Sequence, residues 1–434
     1  MRTTLFFSIW ALGLIATPRL ADAGQYETLH EVLRHFQVAF VDRANTAALL
    51  YGALQGLESA APDCRIEVLA HPALYRVHAK SGQVEIGSAA LGDYKQLEAS
   101  LNAAADLVLK NGLAKDARTV EHAMIRRLVA GCGDPWSIFL EADLYNRLLD
   151  DGSTQVGTAG ILVEPHGADL RILDVMPGMQ AEKAGIRPGQ RVDKVAGRPA
   201  DHLTELEALA LMRGPLGQKV TVVVEGKAHE LTFAEEPKRN ISVDLIKGGY
   251  ARIHLHNFRA GTGERLGGVI GKIGKKLKGQ LRGLVLDLRG NPGGLVTEGT
   301  AVVGLFTSPG LVVSVISKKH MRIEEERSTG SGPYRKLPLV ILADHRSASV
   351  SEIVIMSLRD KGRAKLVGTK TLGKGTVQVV MELMDGSALK LSTGRYYSPK
   401  GTPLYEGIEP DFRVEWDGKG KDVQLERAVR LLRG

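Results

Sequence analysis

Two residues in the C-terminal half of the chain are of types that together perform acyl transfer. Ser349 stands between an apolar run at residues 337–343 (LPLVILA) and a helical pattern at residues 351–359. A strand holds the backbone of such a serine still, and the first amides of the helix point toward any negative charge formed beside it. Serine is also a favoured helix cap, and on this segment alone a capping role for Ser347, Ser349 and Ser351 outweighs a catalytic one. Lys374 shifts that balance. It lies in Leu372-Gly373-Lys374-Gly375-Thr376, the one long side chain between two glycines that let the backbone pack closely. A lysine serves as a general base only where burial lowers its pKa toward working pH. No carboxylate adjoins it in sequence, as that role demands. Taken alone, an exposed turn lysine is the commoner reading.

Residues 368–374 (GTKTLGK) nearly spell a phosphate-binding loop, and residues 284–288 (LVLDL) resemble a magnesium-binding strand. That loop needs Ser or Thr directly after its lysine, where this chain has Gly375. The aspartate strand also precedes the loop instead of following it, so a nucleotide hydrolase is set aside. After Asn291-Pro292, Gly293 and Gly294 end a buried strand with amides free to donate. They are candidates for an oxyanion hole with the amide of Val350, or simply a tight turn that needs positive φ.

The elements that position these residues follow from the sequence pattern. At 434 residues the chain is too long for one core, and two to three domains are expected. Residues 24–60, 94–109 and 117–130 carry apolar positions at helical spacing. From Gly157 the texture changes to short strands at 161–163, 170–175, 190–195 and 219–224, with a helix at 203–212. The remainder alternates strands and helices, as an α/β core does. Asp385-Gly386 marks a hairpin, and residues 422–432 form a charged amphipathic helix.

Composition excludes several classes. The formal charge of +8 is spread along the chain, densest at 272–278 and 318–322, without a nucleic-acid reading motif. Arg2, the apolar residues 5–15 and Ala21-Asp22-Ala23 form an export signal cut before Gly24. The alternative is an uncleaved signal acting as a membrane anchor. The two cysteines, Cys64 and Cys132, either form one disulfide in an oxidising compartment or serve as separate small hydrophobes.

Four segments, 284–294 (LVLDLRGNPGG), 347–353 (SASVSEI), 372–378 (LGKGTVQ) and 387–412, together resemble the carboxyl-terminal processing proteases, exported serine peptidases with a PDZ domain and a serine–lysine dyad. The 25-residue separation of Ser349 and Lys374 agrees with that family. The resemblance implies that Ser349 is the nucleophile, Lys374 the base and Gln378 a residue that positions or polarises the lysine. It implies oxyanion amides from Gly293 or Gly294 with Val350. Residues 157–236 resemble the family's PDZ domain, with Thr158, Ala159, Gly160 and Ile161 as the carboxylate-binding turn and strand and Arg213-Gly214-Pro215 as the closing motif. Val350 departs from the usual alanine after the nucleophile, Met179-Gln180 replaces Ser-Pro, and Gln190 replaces Asp. Residues 63–118 match nothing in the family and read as an insertion.

The expected architecture is multidomain α+β. A signal spans 1–23, a helical N-terminal region 24–150, a PDZ domain 151–238 and an α/β serine-protease core 239–434. The expected activity is cleavage of exported, periplasmic proteins selected by their C-termini, without metal or cofactor. His254, His256 and His345 are not needed. Homo-oligomerisation through the terminal helices and an activating adaptor are further expectations. The rival, from a different class, is a catalytically silent PDZ adaptor that sequesters C-terminal peptides.

Overall fold

The computed structural model describes residues 25–70, 74–87, 93–149, 156–166, 169–176, 178–236, 240–317 and 323–434. The expected export signal at residues 1–23 and the basic run at 318–322 lie outside them. Residues 24–60, read as one helical stretch, form two helices, α1 (Glu27–Ala39) and α2 (Thr46–Ala60), the second capped by Asn45. The stretch that matched nothing then forms an antiparallel sheet of β1 (Arg65–Ala70), β2 (Leu74–His78) and β3 (Gln83–Ile86). The N-terminal region is therefore not helical throughout. Helices α3 (Tyr94–Lys110) and α4 (Ala117–Ala130) complete it, each started by an aspartate that accepts a first-turn amide. Phe36, Leu50, Leu54, Leu101 and Met124 share one apolar core with Leu383, Leu389 and Leu391 from the far end of the chain. The N-terminal helices are thus built onto the hairpin that turns at Asp385-Gly386. Cys64 and Cys132 are free thiols, each raised to about 11 chiefly by burial.

Strand β4 (Ile138–Leu140) and helix α5 (Ala142–Leu149) lead into a PDZ-like unit. It comprises β5 (Val156–Thr158), β6 (Ile161–His166), β7 (Asp169–Val175), α6 (Gln180–Lys183), β8 (Arg191–Val195), β9 (Arg198–Pro199), α7 (Glu205–Leu211), β10 (Arg213–Pro215), β11 (Lys219–Val224) and β12 (Lys227–Thr232). The main sheet runs β12-β11-β8-β7-β6, and β10 pairs with β5. Strand β6 is therefore an edge, and α7 packs against it, leaving a strand-and-helix groove of the kind that takes a peptide as an added strand. Thr204 and Glu207 start α7 with a reciprocal capping box.

The core begins with β13 (Ile241–Ile246) and β14 (Tyr250–Leu255), then α8 (Thr262–Lys276), β15 (Gly283–Asp287), α9 (Val296–Phe306), β16 (Gly310–Ser317), β17 (Ile323–Ser328), β18 (Leu339–Ala343), α10 (Val350–Asp360), β19 (Lys365–Gly368), β20 (Thr376–Glu382), β21 (Ala388–Tyr397), β22 (Phe412–Arg413) and α11 (Val423–Arg433). One sheet runs β13-β14-β15-β18-β19-β22, parallel from β14 onward. Strands β15 and β18 are buried along their whole length, as the centre of a covered parallel sheet must be. The second sheet runs β17-β16-β21-β20, with β4 added to β21. Among the described residues no helix is long and apolar enough to cross a membrane.

Candidate active site

Parallel strands end on the same edge of a sheet, so the loops after β15 and β18 meet. The loop after β15 carries Asn291, whose carbonyl accepts Ala348 N–H (3.0 Å) and Ser351 Oγ–H (2.9 Å). Ser347 Oγ donates to Leu288 O (2.8 Å). The hydroxyls of Ser347 and Ser351 are thus committed to the backbone, and of the three serines it is Ser349 whose side chain lines a cavity. Ser349 has φ +55°, the left-handed region, which costs a non-glycine residue about 1–3 kcal/mol. Its neighbours force that turn from both sides, and the hydroxyl comes to the mouth of α10.

One buried carboxylate ties both catalytic candidates together. Glu352 accepts the backbone N–H of Ser349 (2.8 Å), Gly373 (2.7 Å) and Lys374 (3.0 Å), and the hydroxyl of Thr371 (2.5 Å). Burial raises its pKa against the pull of those four donors. The loop after β19 is thereby fixed to the first turn of α10. Gly375 fits because a Cβ there would lie 0.9 Å from Leu404 O, so only glycine lets the lysine loop pass so close.

The Lys374 side chain is half-buried, and Nζ lies 4.6 Å from the centre of the Trp136 ring, a cation–π contact. Among the described residues no hydrogen bond joins Ser349 to Lys374. Both line one cavity of about 190 Å³, together with Gln378, Lys390 and Gly293. Lys390, on β21, is fully buried, and burial followed by the charge of Lys374 lowers its pKa to about 8.

Two expected roles are altered by this geometry. Gln378 sits at a bulge in β20, and its amide nitrogen donates to Thr376 O (2.9 Å) and Thr376 Oγ1 (2.6 Å) instead of reaching the lysine. The Gly293 amide is committed to Asn291 Oδ1 (2.9 Å), which removes it as an oxyanion donor in this arrangement. A Cβ on Gly293 (φ +106°) would stand 3.0 Å from both Ser349 Cβ and Val350 N, so the glycine instead keeps room beside Ser349. Gly294 forms a backbone bridge with Phe258 through Gly293 O and Leu295 N–H, a bridge that does not use the Gly294 amide. The Val350 amide, first of α10, faces the Gly293 side of the serine.

The carboxylate-binding turn is partly closed. Thr158 N–H donates to Ala234 O (2.9 Å), Ala159 N–H to Met212 O (2.9 Å) and Gly160 N–H to Thr158 Oγ1 (3.1 Å). Ile161 stands opposite Val175 of β7 in a non-hydrogen-bonded pair, since Met176 N–H donates to Gly160 O (2.8 Å) and Val175 N–H to Asp174 Oδ1 (2.9 Å), so β7 does not take the Ile161 amide. Thr158 and Arg213 nevertheless line the Ser349 cavity, as do Leu162 and Val163 of β6 and Glu205 and Leu209 of α7.

Sequence reading missed Glu352, Trp136 and Lys390. Glu352 had a legible signal, since Ser349-Val350-Ser351-Glu352 is a capping box. Lys390 had a weaker one, a single lysine inside the apolar run of β21. Nothing local marks Trp136, which reaches the site from the other end of the chain.

A PDZ-like unit, a strand-to-helix serine and a doubly anchored lysine loop define a PDZ-bearing serine peptidase. Comparison with known proteins agrees. Residues 249–414 match Peptidase family S41, and residues 171–226 match a PDZ domain. The carboxy-terminal-processing protease of Bartonella bacilliformis is 31% identical over 327 residues, 71% of this chain and 74% of the relative. The carboxy-terminal processing protease CtpA of Bacillus subtilis is 29% identical over 311 residues, 69% of this chain and 65% of that one. The solved photosystem II D1 C-terminal processing protease shares the fold, with a TM-score of 0.65 at 22% identity over 95% of this chain and 98% of that one. The chain belongs to the carboxy-terminal-processing protease family of serine peptidases.

Proposed function

We propose that the protein is an endopeptidase in which Ser349 is the nucleophile and Lys374 the general base, acting on proteins selected by their C-termini through the PDZ groove. The observation that carries this reading is the single cavity of about 190 Å³ lined both by Ser349 and Lys374 and by the β6 and α7 groove residues Leu162, Val163 and Leu209. A peptide laid along β6 leads directly to the serine.

Catalysis begins when the Lys374 amine leaves the Trp136 face and meets Ser349 Oγ. Resting enzymes often hold such pairs apart and tighten them in the substrate complex. Having first given up its proton to solvent, the amine takes the hydroxyl proton as Ser349 Oγ attacks the peptide carbonyl carbon. The oxyanion forms beside the Val350 amide and the positive end of α10, which stabilise it. The lysine returns its proton to the leaving amine, and water then hydrolyses the acyl-enzyme by the same route. Glu352 keeps the two backbones in register throughout.

Cleavage of casein or a labelled unfolded peptide tests this. Ser349→Ala and Lys374→Ala are each expected to lower the rate about 10⁴-fold or more. Equal cutting by both variants and wild type would overturn the dyad. A wild type that binds C-terminal peptides yet cuts nothing would establish a silent adaptor instead. We also propose export to the periplasm, supported by the signal at residues 1–23. Cell fractionation with N-terminal sequencing separates a cleaved chain from one tethered by its uncleaved signal.

A further inference from the structure

The expected carboxylate turn has no spare amide among Thr158, Ala159 and Gly160, because each already donates within the fold. Of the turn's four amides only that of Ile161 is not taken by these bonds, so a peptide's terminal carboxylate entering this cavity needs further donors. Two guanidinium groups stand there. Arg213 begins β10 at the root of the PDZ unit, and Arg259 lies in the core segment after β14. They converge on Glu236, at the end of the PDZ unit. Arg213 Nη1 is 3.6 Å from Oε1, and Arg259 Nη2 is 2.5 Å from Oε2. All three side chains line the cavity that holds Ser349.

The site therefore already binds a carboxylate, one supplied by the chain itself. We propose that Arg213 and Arg259 form the receptor for the α-carboxylate of a peptide substrate, and that Glu236 is its internal placeholder, displaced when the peptide docks. Guanidinium groups match carboxylate geometry and bind it through charge-assisted hydrogen bonds. The Glu236 side chain is 25% exposed, so it has a path to solvent when it leaves. Exchanging one carboxylate for another is close to balanced, which leaves affinity to the apolar contacts with Leu162, Leu173 and Leu209 along the same cavity. A chain ending in an amide, or an internal loop, has nothing to offer the arginines and leaves Glu236 in place. The receptor would thus select free C-termini, and because its two arginines come from different domains, an occupied receptor draws the PDZ unit and core together.

The inference rests on the dyad and PDZ reading and deepens it. It is tested on the full chain carrying Ser349→Ala, so that binding is read without turnover. The probe is a fluorescently labelled ten-residue peptide with an apolar end, prepared once with a free C-terminal carboxylate and once amidated, and binding is followed by anisotropy. The acid is expected to bind about tenfold tighter than the amide, the scale of one charge-assisted hydrogen bond. Glu236→Gln, nearly isosteric, should tighten the acid severalfold and leave the amide unchanged. Arg259→Gln should bring the acid down to the level of the amide. Equal binding of acid and amide, no binding of either, or an equal shift of both by Glu236→Gln would overturn the proposal. Circular dichroism of each variant identifies a misfolded arginine variant, and Glu236→Gln then decides alone. Cleavage is scored separately: a Ser349→Ala chain that still cuts refutes the nucleophile, not the receptor.

Discussion

Two charged regions of this molecule are built on opposite principles. At the junction of the N-terminal helices, the protease hairpin and the PDZ unit, charges alternate in sign. His122 lies between Glu141 (2.6 Å) and Asp385 (2.7 Å). Arg126 joins Glu141 (3.1 Å) to Glu207 of α7. The Ser349 cavity has paired charges in Arg213, Glu236 and Arg259, but around the serine two lysines, 374 and 390, line one space, and the serine backbone is held in the left-handed region. The first arrangement fastens three parts of the chain together. The second keeps reactive groups in states that a relaxed structure would avoid, and the surrounding packing must offset that. Stability and chemistry are separated in space, so they should respond to mutation separately.

The largest effect is expected where the two principles meet, at Glu352. It is buried and fully bonded like the junction, but its partners include the backbones of Ser349 and Lys374, the proposed dyad. Glu352→Gln must turn an N–H toward some of the four donors it now accepts. Displacing reacting groups by a fraction of an ångström to 1 Å costs about 100-fold in rate, so kcat should fall by about that factor with KM nearly unchanged. Steady-state kinetics on a peptide substrate measures it. A rise in KM alone would place Glu352 in substrate binding instead.

The next effect sharpens the contrast by its sign. Burial opposes the charged form of His122, but hydrogen bonds that its protonated ring donates to Asp385 and Glu141 outweigh it and raise the pKa to about 9. A histidine pKa raised by folding adds stability that is fully present below its unfolded value near 6.5 and is lost as pH rises through about 9. His122→Gln should therefore lower stability by about 3 kcal/mol at pH 6, with the difference from wild type shrinking between about pH 6.5 and 9. Lys390 is lowered to about 8, so between pH 8 and its unfolded value near 10.5 the unfolded chain holds more protons and stability rises with pH. Lys390→Met should raise stability by about 1 kcal/mol at pH 7 and lose that advantage above pH 10.5. Denaturant unfolding of both variants at four pH values tests the pair. Effects of the same sign would abolish the contrast between the two regions.

Much of this was legible in the sequence, for identifiable reasons. Helix α4 (Ala117–Ala130) and strand β11 (Lys219–Val224) coincide with their predicted bounds, because clear apolar periodicity and flanking turn residues define both. Ser349, Lys374 and the cavity they share follow from the same strand-loop-helix logic. The sheet at residues 65–86 escaped although its strands alternate apolar and charged residues, because each is only four to six residues long and the three fell between stronger helical signals. The bonding of Gln378 to Thr376, the committed Gly293 amide and the partly closed PDZ turn also escaped prediction. Each depends on which of several nearby acceptors a donor takes, and that is decided by packing between distant segments. Trp136 is the clearest case: it lies 238 residues before the lysine it touches, with no pattern linking them.

That contact supports the smallest prediction. An aromatic face favours a lysine in its charged form and holds the amine in place, both of which oppose its use as a base. A cation–π contact at a partly exposed site is worth about 0.5–1 kcal/mol. Trp136→Leu keeps an apolar neighbour but removes the ring. Near neutrality kcat/KM should then rise by about two- to fivefold at most. The junction, which Trp136 does not touch among its hydrogen bonds and ion pairs, should keep its pH-dependent stability unchanged. If kcat/KM falls, the ring supports the productive position of Lys374 instead of restraining it. The cavity would then be organised like the junction, by attraction, and the two regions would no longer differ in kind.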